Sequence, residues 1–148
     1  MALFDRLQLN AFVRQRHFGF SDDRTLAQVR PPLIVDEHGD LELFRDGPAM
    51  ESYLEAIDVQ NREYVVYDSE GRQVELATAE VPTRWFFGLL RGSAEVVRIA
   101  SVEAEPTHAL ELSTKLRSHL ERFQESIPPE ATLSDLVERL RNNAGFVA

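Results

Sequence analysis

The chain has 148 residues, 43% of them hydrophobic and 28% charged, with a net charge of −9 and no cysteine. That length suits a single domain, residues 1–148, with one real core. The missing cysteines exclude disulfide staples, thiolate zinc sites and cysteine nucleophiles.

No apolar run approaches the ~20 residues of a membrane helix, so no membrane is expected. Asp5 and Arg6 fall where a signal peptide would carry its apolar stretch, and the expected location is cytoplasmic. Of the 16 basic residues only Lys115 is a lysine, a usage that fits a GC-rich, bacterial coding sequence. The acidity is local: residues 36–70 carry eleven acids against Arg45 and Arg62, whereas residues 1–35 are net positive. Such a stretch repels a phosphate backbone, so no nucleic-acid partner is expected. It would attract and steer a basic protein.

Taken in chain order, Leu3, Phe4, Leu7, Ala11 and Phe12 form a roughly helical stripe over residues 3–16. Ser21 is placed to cap a short helix over Asp22–Val29, which Pro31 and Pro32 end. Two hairpins follow, over 33–44 and 64–76. In each, an Asp (Asp36, Asp68) begins the turn and a Gly (Gly39, Gly71) follows three residues later, as in a type I turn with a G1 bulge. Between them Asp46 caps an amphipathic helix over 46–57, with Pro48 in its first turn. Its apolar face is Ala49, Met50, Tyr53, Leu54 and Ile57, with Glu51 and Glu55 pointing elsewhere.

Thr83–Leu90 and Glu95–Glu103 read as a third hairpin turning at Arg91-Gly92-Ser93-Ala94. Thr107 then caps a long helix over 107–127, with a stripe of Ala109, Leu112, Leu116, Leu120, Phe123 and Ile127. Pro128 and Pro129 break it. Thr132 with Asp135 forms an acidic relative of the capping box and opens a helix over 132–144, which Gly145 ends. Helices with one apolar side and strands in hairpins give an α+β fold: an antiparallel sheet of about six strands with the helices 46–57, 107–127 and 132–144 packed on it.

The sequence offers little catalytic chemistry. His108 and Glu111 have the i, i+3 spacing of half a di-iron site, but no second copy exists. His108 and His119 lie ~16 Å apart along one helix, too far to share an ion. The run Asp36–Asp40 departs from the calcium-loop pattern and reads as a turn. No nucleophile elbow, P-loop or dinucleotide fingerprint is present. No metal, cofactor or catalytic residue is therefore assigned. Paired carboxylates among Glu51, Glu55, Asp58, Glu63, Asp68 and Glu70 read as a solvated face, or, with Tyr53, Tyr64 and Tyr67 among them, as a protein-binding surface. The segment Arg84–Leu90 is apolar on both sides of a strand, which suits a central strand covered on both faces. The other reading leaves one face for a partner, with Trp85 as an anchor.

The run Glu51–Tyr64, continuing through Tyr67-Asp-Ser-Glu-Gly-Arg72, resembles segments of small uncharacterised bacterial proteins. In its short, acidic, cysteine-free α+β character the chain is similar in type to immunity proteins that neutralise toxins delivered between bacteria. That resemblance implies docking of an acidic surface on a basic toxin without chemistry. The expected function is thus a non-catalytic protein-binding domain, with Asp58, Glu63, Tyr64, Tyr67, Asp68 and Trp85 as contact positions. Two alternatives stand beside it. One is a small-molecule binder or minor enzyme, with His108, His119 and Trp85 around a pocket between sheet and helices. The other is a structural protein that self-associates as a homodimer through 84–90.

Overall fold

A computed structural model describes residues 21–85 and 88–148, and the side chains of these except Trp85. The helix expected over 3–16 lies outside the described residues, as do Phe86 and Phe87. The elements are α1 (Asp23–Gln28), β1 (Leu33–Glu37), β2 (Asp40–Phe44), α2 (Gly47–Tyr53), α3 (Ala56–Gln60), β3 (Tyr64–Tyr67), β4 (Gln73–Trp85), β5 (Leu90–Val102), α4 (Ala109–Arg122) and α5 (Leu133–Ala144). The fold is α+β, as expected, with five strands among the described residues where about six were expected. All pairings are antiparallel, in the order β2-β1-β3-β4-β5.

The sheet is the middle of three layers. Alternation along β1 sends Leu33 and Val35 to one face, where Phe44, Met50, Leu54, Val66, Val74, Val97 and Ile99 join them. It sends Ile34 to the other, where Leu41, Leu43 and Tyr67 meet Leu112, Leu116 and Leu120 of α4 and Leu136, Val137 and Leu140 of α5. α1, α2 and α3 therefore lie on the first face, and α4 and α5 on the second.

Local signals set most of the punctuation. Asp46 accepts the Ala49 N–H at 2.8 Å and caps α2, with Pro48 in the first turn. The capping box at α5 is complete, Thr132 and Asp135 bonding each other's backbone N–H, and Gly145 ends that helix at φ 72°. Arg117 donates to the carbonyls of Pro128, Pro129 and Ala131 and so holds the link between α4 and α5. At the β3–β4 turn, Asp68 and Arg72 pair, and Gly71 takes φ +84° three residues after Asp68, the geometry expected.

Elsewhere tertiary packing overrides the local reading. Asp22, and not Ser21, caps α1, through the Thr25 N–H. The β1–β2 connection is a two-residue loop, His38-Gly39, with φ of 54° and 96°. That is the type I′ signature, which matches strand twist better than the expected type I turn with a bulge. The helix expected over 46–57 breaks at Leu54 and Glu55, both extended, so that Met50 and Leu54 enter the core while Tyr53 and Ile57 face solvent. Glu51, expected to point away, is buried instead. His108 occupies the cap of α4 in place of Thr107, and Phe123, expected in its stripe, is exposed.

The third hairpin turns elsewhere than expected. Trp85 pairs with Leu90, so the turn lies between them and Arg91-Gly92-Ser93-Ala94 run inside β5, opposite Arg84, Thr83, Pro82 and Val81. Gly88, at φ +86°, supplies the positive φ that Gly92 looked placed to supply. The segment around Trp85 is accordingly the end of a long hairpin, with Leu89 84% exposed, and the amino-terminal segment expected to cover it lies outside the described residues.

Both edges of the sheet body are closed by polar groups, which limits unwanted strand pairing there. On β5, the Ile99 N–H donates to Ser21 Oγ at 2.7 Å and to Glu51 Oε1 at 3.0 Å, and the Ser21 hydroxyl donates to Glu51. On β2, the Leu41 N–H meets His119 Nδ1 at 3.4 Å and the Leu43 carbonyl accepts the Val147 N–H at 2.9 Å.

Gly71 provides a direct check of this packing. A Cβ there would fall 2.4 Å from the Ala109 Cα at the start of α4. Gly71→Ala is expected to destabilise the fold by about 1–3 kcal/mol, from backbone strain and displacement of α4 together. A urea midpoint unchanged from wild type would show that α4 does not rest on this turn.

Candidate functional site

Register builds the acidic end from the sequence upward. Glu37 ends β1 opposite Asp40 of β2, and opposite Tyr64 at the start of β3. Glu42 lies opposite Val35 and so shares the face of Glu37. On that face, in the first turn of α3, Asp58 accepts the Tyr64 hydroxyl at 3.0 Å. Glu63 reaches His38 Nε2 at 2.6 Å across the β1–β2 turn. Five carboxylates, Glu37, Asp40, Glu42, Asp58 and Glu63, thus gather around Tyr64 at one end of the sheet. His38 lies among them, and Arg122 reaches Asp40 at 3.4 Å.

The titration behaviour reports the crowding. Burial, then the charges of Glu37 and Asp40, raises the Glu42 carboxyl above its ordinary range. Burial and the bond to Asp58 push the Tyr64 hydroxyl strongly upward, with Glu37 and Glu42 adding to the shift. The bond to Glu63 raises exposed His38. Such a surface accommodates positive charge more readily than it holds its own.

Of the expected contact positions, Asp58, Glu63 and Tyr64 come together here. Tyr67 and Asp68 do not, because both are fully buried. Tyr67 points to the opposite face, where it donates to Glu111 at 2.6 Å. Asp68 is consumed by Arg72 and by the backbone N–H groups of Arg30, Glu70 and Arg72. These two residues hold the fold and present nothing to a partner. Trp85 ends β4, within the long hairpin. Sequence reasoning missed Glu37, Asp40 and Glu42, which it absorbed into a turn and a strand. The recoverable signal was alternation, which puts Glu37 on the same side as Val35.

A second polar cluster joins the sheet to α4. Lys115, the sole lysine, pairs with buried Asp36, lies 3.4 Å from Glu111 and sits over the Tyr67 ring at 5.4 Å. Burial pulls its pKa down, but the bonds to Asp36 and Tyr67 outweigh that and hold it above the ordinary lysine value. Burial and the Glu111 bond push Tyr67 up to about 12. His108 Nδ1 is 2.8 Å from Glu103 and its Nε2 4.0 Å from Glu111. These groups satisfy one another, and a lysine held charged is a poor nucleophile. Among the described residues no group of three or more metal-ligating side chains is arranged to hold an ion. None of their helices is long and apolar enough to cross a membrane.

The space between the sheet and α4, where a pocket was the alternative, is filled by Leu112, Leu116 and Leu120. A shallow surface depression of about 260 Å³ lies outside it, lined by Gly39, Thr114, Lys115, Ser118, His119 and Arg122. His119 is buried and in contact with Arg122 at 3.1 Å. No family model, curated protein or solved structure matches this chain.

His119 yields a pH prediction. Burial, then Arg122, lowers its pKa below the usual value. The unfolded chain then binds more protons, so the stabilisation is complete above the unfolded pKa of about 6.5 and is lost as pH falls toward the folded value. His38 has the opposite sign, since its raised pKa gives stability below about 6.5 that is lost as pH rises through the folded value. His119→Asn keeps an acceptor for the Leu41 N–H and removes the titration. Urea unfolding across that range should show wild type losing more stability on acidification than the variant. Equal pH slopes would contradict the burial of a neutral imidazole.

Proposed function

We propose that this chain is a non-catalytic protein-binding domain that docks its acidic end on a basic partner protein, in the manner of an immunity-type inhibitor of a toxin. The observation that carries the reading is the convergence of Glu37, Asp40, Glu42, Asp58 and Glu63 from two strands, a helix and a loop onto one end of the sheet. Charges that repel one another in the free protein are relieved by a cationic surface, and that difference favours the complex. Tyr64 lies at their centre and adds contact area at low entropic cost. Behind α4, Leu112, Leu116 and Leu120 pack against the sheet, which favours recognition at the surface over binding in the interior.

The test is capture from host lysate at low and high salt, followed by association kinetics with the captured protein. The bait is wild type or a variant with all five acids changed to their amides. The reading predicts a basic partner whose association slows at least about tenfold in the variant and loses most of its salt dependence. Binding should also weaken as pH falls, because His38 gains charge and Glu42 takes up a proton above the usual carboxyl range. An equal salt slope for wild type and variant would overturn the proposal.

A further inference from the structure

We propose that the outer half of β5 pairs antiparallel with the same segment of a second copy of this chain, about a two-fold axis at Ser93, to form one continuous sheet. Ile99 directs its N–H and C=O outward, to Ser21 and Glu51. Strand alternation then turns the backbone groups of Val97, Glu95, Ser93 and Arg91 outward as well. Arg91, Gly92, Ser93 and Glu95 are exposed, and no described residue bonds the outward backbone groups of Arg91, Ser93 or Glu95. The other side of the hairpin is blunted. Pro82 lies across from Ser93 and has no N–H to present.

Self-complementarity selects the occupant. A two-fold axis at Ser93 pairs odd residues with odd residues, so outward groups meet outward groups. Arg91 then lies across from Glu95 of the second copy, and Glu95 across from Arg91 of the second copy. Leu90 is 55% exposed beside these pairs, and Gly92 and Ala94 allow close approach between the two strands. Gln60 donates to Glu95 Oε1 at 2.8 Å and steadies that carboxylate beside the edge. The ladder stops before Ile99, where Ser21 and Glu51 already hold the edge, so the arrangement closes at two copies. This interface is separate from the acidic end and does not rest on its role.

Sedimentation equilibrium over a wide concentration range tests the proposal, with a monomer–dimer equilibrium expected for wild type. Ser93→Pro removes the central outward N–H at no cost to pairing with β4 and should leave a monomer. Arg91→Glu and Glu95→Arg each set like charges opposite twice per dimer and should weaken association about tenfold. The exchanged pair, R91E with E95R, should restore it, which keeps the test decisive if the proline variant misfolds. The variant with five neutralised acids should dimerise like wild type. A monomer at every concentration would overturn the proposal, as would a dimer indifferent to Ser93→Pro and to both reversals.

Discussion

Strand β1 is buried on both faces, and the two packed layers, the sheet register and the position of the acidic end all depend on it. Leu33, Ile34 and Val35 are each fully buried, a run that contributes about 1.5–3 kcal/mol per side chain. Alternation assigns Leu33 and Val35 to the core under α1–α3 and Ile34 to the core under α4 and α5. Asp36, next in line, faces the second layer and is accommodated by Lys115 of α4 and by the Gly39 N–H. Glu37, one residue further, emerges on the first face and begins the acidic surface. One strand thus passes from double core to charged surface within five residues.

A sheet with two covered faces still has two edges, and the protein treats them unequally. Side chains and one backbone N–H occupy the backbone groups of β2 and of the inner part of β5, as His119, Val147, Ser21 and Glu51 show. Among the described residues, none gives such cover to the outer part of the β4–β5 hairpin, beyond the proline that blunts β4. The acidic end and this open edge sit on different strands, so charge-driven recognition and sheet pairing are physically separable.

What sequence alone disclosed was what neighbours in the chain decide. The capping box at Thr132, the Asp46 cap and the Asp68–Gly71 turn are each complete within a few residues, and each is present. Glu51 looked like a solvent-facing helix residue because its partners, Ser21 and the Ile99 N–H, lie 30 and 48 residues away. The last hairpin turn was misplaced because Gly92-Ser93 and Gly88 both offer turn chemistry, and only the pairing of Leu76 with Ile99 and beyond chooses between them. For the candidate site, charge density pointed to residues 36–70. Which acids converge was decided by strand register, which joined Asp58, Glu63 and Tyr64 to Glu37 and Glu42 and took Tyr67 and Asp68 inside.

The central claim is that β1 fastens both layers into one cooperative unit, and native-state hydrogen exchange tests it most directly. The account predicts that the slowest amides of β1, Ile34 and Val35, and those of α4, Leu116 and Leu120, exchange with one common free energy equal to that of global unfolding. Exchange of the α4 amides at a clearly lower free energy, while β1 stays protected, would contradict it, because the second layer would then open without the strand that is held to bind it.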